Sequence, residues 1–279
     1  NYTEEDIKQS ARAFTGYAYQ RKGTFYIKPR AHDEGDKKFL GKTGNFKGDD
    51  IIDLILEKKE CAHFICDKLY REFVNPTANI VHLAEITDVF YRDYDISEVL
   101  RHIFMSDWFY DEINIGSRIK SPIELLVGIN RTVPVQFEKP RQLLFIQKVM
   151  GQVLLYPPNV AGWKGDKSWI DANSLVFRLN LPSALFNGAV INYAEKGEFE
   201  DSFEEYYDKK KSRKTALKTK VGWIAFDNEY GSLKRKELKQ FLLAPKVDDD
   251  TESYLDNLEN LGNREYCLQL MSLPEYQLC

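Results

Sequence analysis

At 279 residues, with 43% hydrophobic and 13% aromatic side chains, the chain can bury one large core or two modest ones. Its net charge of −4 argues against a dedicated nucleic-acid binder. No run of about 18 apolar residues offers a membrane span. No secretory leader is recognisable, and the chain opens at a helix start without an initiator Met, as a chain trimmed at its N-terminus would.

Most of the chain reads as helix. Thr3 caps the first, with Asp6 three residues on and Ile7, Ala11 and Phe14 as its apolar face. From Thr15 to Ile27 the pattern alternates around Gln20-Arg21-Lys22-Gly23, which predicts a β-hairpin. A loop is expected from Lys28 to about Gly48. Helix resumes at Asp49, where Cys61, Phe64, Ile65, Leu69 and Phe73 fall on one stripe up to Asn75-Pro76. Val81 to Tyr91 follows as a helix, and Asp95 with Glu98 opens another to about Asp107. Ser121-Pro122-Ile123-Glu124 is the strongest start signal, with Ser at the cap, Pro in the first turn and Glu three residues on.

A helix from Pro140 to Leu154 leads into Tyr156-Pro157-Pro158-Asn159-Val160-Ala161-Gly162-Trp163. Two adjacent prolines exclude a helix interior there. Asp171 or Asn173 caps the next helix, and Asn180-Leu181-Pro182 restarts the chain in a further one. After about Lys196 an acidic stretch precedes a basic one, Lys209 to Lys220. The apolar run Val221–Phe226, a helix at Lys234–Leu243, an acidic linker and two final helices complete the chain. The expected fold is mainly α, a multi-helix array with one small β-hairpin near the N-terminus. The expected domains are 1–196 and a helical appendage, 197–279, packed on it.

Several segments resemble, in order, one bacterial family, domain of unknown function 1800. They are Tyr2-Thr3-Glu4-Glu5-Asp6 through Ala11-Arg12-Ala13-Phe14-Thr15-Gly16; His32-Asp33 with Lys38-Phe39-Leu40-Gly41; Lys120-Ser121-Pro122-Ile123-Glu124; Met150-Gly151-Gln152; Pro157-Pro158-Asn159-Val160 with Gly162-Trp163 and Trp169-Ile170; and Arg178. They span about two-thirds of the chain. The tail Leu270–Tyr276 looks like that of members from the Bacteroidota. The resemblance implies an exported bacterial protein, in the periplasm, at the cell surface or outside. It also implies genes that often neighbour a sulfatase-like family, domain of unknown function 1501. It further implies an acidic segment ahead of Tyr2-Thr3-Glu4, without which any site using those carboxylates is incomplete.

His32-Asp33-Glu34-Gly35-Asp36 offers an imidazole and carboxylates for a divalent metal or for acid–base work, with His32 and Asp33 the leading catalytic candidates. The competing reading is an Asp-Gly turn whose side chains satisfy backbone N–H groups. Trp163 and Trp169, with Asn159 and Arg178, are the candidate binding residues: rings on a loop stack on sugars or hold a peptide. Alternatively both rings plug the loop onto the core. Arg12, Arg131 and Arg178 each pair with a carboxylate to fix helix packing, or grip an anion. The basic run reads as a solvated face. Four cysteines fit no zinc pattern; Cys61 is placed in the core, and Cys267 and Cys279 are either a disulfide or two thiols.

No Walker loop, dinucleotide fingerprint, Gly-x-Ser-x-Gly or Cys-x-x-Cys is present, so no cofactor is predicted beyond a divalent metal at His32/Asp33. The first functional expectation is a non-catalytic component that binds a glycan or a protein, with a sulfatase-like protein as the partner the resemblance suggests. The second is a metal-assisted or acid–base hydrolase of an extracellular polymer, using His32 and Asp33. The third is a purely structural protein. The first requires Trp163 or Trp169 to be exposed. The second requires His32 and Asp33 to meet each other or another acid in a concave pocket.

Overall fold

A computed structural model describes residues 1–188, 190–191, 215–258 and 260–279. Most of the basic run, Lys209–Lys214, and the acidic stretch before it lie outside the described residues. The fold is mainly α, with twelve α-helices and small two-stranded sheets among the described residues. No described helix is long and apolar enough to cross a membrane. The chain divides into two compact units, Asn1–Phe109 and Tyr110–Cys279. Lys196 falls inside the second, whose core draws on residues from both sides of that position.

In the first unit, α1 (Glu4–Ala13) begins with a complete capping box: Thr3 Oγ1 accepts from Asp6 N at 3.1 Å and Asp6 Oδ2 from Thr3 N at 2.8 Å. The hairpin expected around Gln20–Gly23 forms as β1 (Tyr17–Tyr19) and β2 (Phe25–Ile27), in the register Tyr17↔Ile27 and Tyr19↔Phe25. The expected loop after it contains a second hairpin, β3 (Lys37–Phe39) and β4 (Lys42–Gly44). Its turn places Leu40 and Gly41 at positive φ, and Asp6 Oδ1 accepts from Leu40 N at 2.8 Å.

Helices α2 (Gly48–Leu56) and α3 (Lys59–Phe73) follow, then α4 (Ile80–Asp93) and α5 (Ile96–Met105). Ala62, Cys66 and Tyr70 of α3 face Leu83, Ile86 and Phe90 of α4 and Val99 and Ile103 of α5 in one core. This corrects the expected stripe: Phe64 and Phe73 are exposed, and Cys66 rather than Cys61 is the buried thiol. Close approach of α3 and α4 needs small side chains at the contact, which Ala62 and Cys66 provide and phenylalanines would not.

In the second unit the Ser121 cap forms as read: Ser121 Oγ accepts from Glu124 N and Glu124 Oε2 from Ser121 N, opening α6 (Pro122–Thr132). Strand β5 (Val135–Phe137) and α7 (Pro140–Val149) precede the Pro-Pro-Trp loop. Asp171 caps α8 (Ala172–Asn187). α8 runs through Pro182 instead of restarting there. Burial of Phe177, Leu181, Ala184 and Leu185 against the core outweighs the backbone hydrogen bond that proline cannot donate.

Strand β6 (Val190–Ile191) pairs with β7 (Thr215–Ala216), and β8 (Thr219–Val221) pairs with β5. Helices α9 (Trp223–Tyr230), α10 (Arg235–Leu242), α11 (Asp249–Asp256) and α12 (Asn263–Met271) close the unit. No disulfide is formed among the described residues; Cys267 is fully buried, and burial pushes its pKa up to about 12.

Candidate functional site

Arg12 is on the last turn of α1 because that helix keeps its polar face outward, and there it meets the loop that follows β2. Its guanidinium forks onto Asp33, Nε to Oδ2 at 2.7 Å and Nη2 to Oδ1 at 3.1 Å. Its Nη1 reaches Gln9 Oε1 and the Asp36 carbonyl. Asp33 Oδ1 also accepts from Gly35 N at 2.9 Å, and Asp33 N donates to Thr15 Oγ1 at 2.8 Å. His32 Nδ1 lies 2.8 Å from the Thr15 carbonyl. A carbonyl only accepts, so Nδ1 carries the proton in this contact. Beneath the loop the buried ammonium of Lys37 donates to the carbonyls of Asp33 and Gly35 and to Asn45 Oδ1.

The Arg12 guanidinium, and then the Gly35 amide, hold the Asp33 carboxyl down to about 2. It is therefore ionised and fully engaged near neutrality, poorly matched to proton transfer. Among the described residues His32 meets no carboxylate, and no group of three or more His, Cys, Asp or Glu could hold a metal. Shallow depressions lie elsewhere, one between Thr3, Asp6, Leu40 and Lys58, another between Lys239, Pro245 and Glu252.

Because its folded pKa is lowered, Asp33 contributes stability that is present above about 4 and is lost as pH falls towards 2. The Asp33→Asn variant lacks this contribution. Melting temperatures of the two proteins should differ near neutrality and converge as pH falls through that window; a gap that ignores pH contradicts this role for the ion pair.

In the second unit Arg178 is wholly buried in α8. It finds no carboxylate hydrogen-bond partner among the described residues, contrary to the ion pair expected of it. Nε donates to Gln277 Oε1 at 3.0 Å and Nη2 to the Lys120 carbonyl at 2.5 Å, while Nη1 and Gln277 Nε2 are enclosed without partners among the described residues. Burial lowers the guanidinium pKa to about 10, opposed in part by the Glu124 charge. Lys120 Nζ donates to the Tyr276 carbonyl and sits 4.0 Å over that residue's ring. The segment Arg118–Lys120 pairs antiparallel with Gln277–Cys279 through hydrogen bonds of 2.7 to 3.2 Å.

The Pro-Pro-Trp loop is pinned at its entrance. The buried Gln147 side chain accepts from Leu154 N at 2.8 Å, and Gln152 Oε1 accepts from Ile123 N at 3.0 Å. Asn159 Oδ1 accepts from Ala161 N at 2.8 Å, a side-chain turn that shapes the loop from within. Trp169 is buried, 7% exposed, and Trp163 is half-buried, with its indole N–H enclosed and unpartnered among the described residues, so the exposed ring required of the expected binding site is missing at Trp169 and only partly present at Trp163.

Every residue from Leu154 to Ala161 is exposed, including Leu154, Leu155 (91%), Tyr156 and Val160. Leu155 also takes φ +63°, a left-handed conformation costly for a residue with a branched side chain. These aliphatic residues escape sequence reasoning because Leu and Val default to the core. The only sequence signal is their position beside two prolines.

These features define a mainly α-helical protein in which Arg12, Asp33, Lys37 and Arg178 serve packing and loop shape. The chain belongs to the family described as protein of unknown function (DUF1800), whose model matches residues 1–278, so the likeness extends through the C-terminal third as well. No curated protein and no solved structure matches it.

Proposed function

We propose that this protein is a non-catalytic binding component, acting outside the cytoplasm, that holds a protein partner on the Leu154–Ala161 loop. The observation that carries the reading is the exposure of four apolar side chains, Leu154, Leu155, Tyr156 and Val160, on one short loop that is pinned at its entrance and shaped from within by the Asn159 turn. Such patches are expensive to leave in water and mark interaction sites. Two prolines and the Asn159 turn fix the backbone beforehand, so little ordering entropy is lost on docking. The sulfatase-like protein encoded beside members of this family is the partner to try first. The structural engagement of Asp33, and a His32 ring that meets no carboxylate among the described residues, favour binding over hydrolysis.

The test is titration of the purified sulfatase-like protein against the intact chain and against its Leu155→Ser/Val160→Ser variant. Both side chains are exposed, so the variant should melt as the parent does. Loss of two apolar anchors should weaken binding roughly tenfold each. An unchanged dissociation constant would remove the loop from the interface.

A further inference from the structure

The β1–β2 ribbon carries a second surface, independent of the loop. Between Ala13 and His32 the chain has no Asp or Glu and four cations, Arg21, Lys22, Lys28 and Arg30, in a protein of net charge −4. None of the four makes an ion pair among the described residues. Every residue from Tyr19 to Ala31 is exposed.

The strand register puts Tyr17, Tyr19, Phe25 and Ile27 on one face, with Tyr26 on the other. Tyr19 is 80% exposed and Phe25 59%. The hydroxyls of Tyr19 and Tyr26 have no partner among the described residues. The ribbon is held firmly at its root: Tyr17 Oη accepts from Gly48 N at 3.0 Å, and Lys28 N donates to the Gly16 carbonyl at 2.8 Å. Tyr17 also packs edge-on against Phe14 and Phe25, at 5.4 and 5.1 Å.

We propose that this ribbon binds an acidic polysaccharide. Its aromatic face is flanked by cations at both ends, Arg21 and Lys22 at the turn and Lys28 and Arg30 at the root. A sugar chain laid along it would place apolar ring faces on Tyr19 and Phe25 and hydroxyls within reach of the Tyr19 phenol. Its carboxylates or sulfates would meet the two pairs of cations. The layout suits insertion into a lipid bilayer less well. There the turn would enter first, and this turn is Gln20-Arg21-Lys22-Gly23, polar and charged.

The intact protein should be titrated with polygalacturonate, with chondroitin sulfate, and with the uncharged methyl ester of polygalacturonate. Poly(dT) and phosphatidylserine vesicles are the competing polyanions. Binding to one or both acidic polysaccharides, and not to the ester, is expected. Tyr19→Ala/Phe25→Ala and Arg21→Gln/Lys22→Gln should each weaken binding about tenfold. The charge variant should leave the melting temperature in place, since Arg21 and Lys22 are exposed and make no ion pair among the described residues, whereas the aromatic variant also loses the Phe25–Tyr17 contact. Three results overturn the proposal: no binding to either acidic polysaccharide, equal binding by both variants, or tighter binding to poly(dT) or to vesicles.

Discussion

Replacing Arg178 by alanine should cost about 3–5 kcal/mol of stability, the range expected when one partner of a buried charged network is removed. The side chain is wholly buried, so its loss leaves a cavity in the core shared by α6, α8 and α12. It also strips Gln277 Oε1 and the Lys120 carbonyl of their donors. Leaving such acceptors unmet costs about 1–3 kcal/mol each. Arg178→Met separates the two contributions, because methionine refills much of the volume without restoring a donor. Urea unfolding should therefore rank the parent above the methionine variant and that above the alanine variant. An alanine variant within about 1 kcal/mol of the parent would mean that the buried guanidinium does not organise this unit.

Gly16→Ala should destabilise the first unit by about 2–3 kcal/mol and loosen the root of the β1–β2 ribbon. Gly16 has φ +78°, and a Cβ there would lie 2.8 Å from the Lys28 carbonyl oxygen and 3.0 Å from His32 N. Both neighbours are backbone, so neither can swing aside as a flexible side chain could. Gly23, in the ribbon turn at φ +81°, has open space where a Cβ would stand. Gly23→Ala thus suffers only the conformational penalty, about 1 kcal/mol. Denaturation midpoints should separate the two variants, and hydrogen exchange at Lys28 N should quicken in the first alone. Equal midpoints would contradict a crowded root.

What the sequence made legible was local chemistry. The Thr3–Asp6, Ser121–Glu124 and Asp171 caps each lie within four residues, and the ribbon announces itself by alternation and a Gly-bearing turn. The β3–β4 hairpin is hidden because its strands are three residues long, Lys37 points inward, and a leucine occupies the first left-handed position of its turn. α8 continues through Pro182 because tertiary burial decides whether a proline is tolerated, and that is not a property of the neighbouring residues. The candidate site divides in the same way. His32-Asp33 could be seen as a polar cluster, but its engagement depends on Arg12, 21 residues earlier in the chain. Arg178 depends on Gln277, 99 residues later.

That last separation bears on the order of events during synthesis. The first unit has its own cores, built from residues no later than Phe109, and they can consolidate while translation continues. The second cannot: Arg118–Lys120 waits for Gln277–Cys279, and Lys120 for Tyr276, 156 residues downstream. Until those residues emerge, Arg178 lacks the Gln277 acceptor, and the cavity it fills stands open to solvent. Closure of so long a loop is slow and entropically costly. A chain cut short before Gln277 would thus keep its first unit native and leave its second exposed to chaperones and proteases.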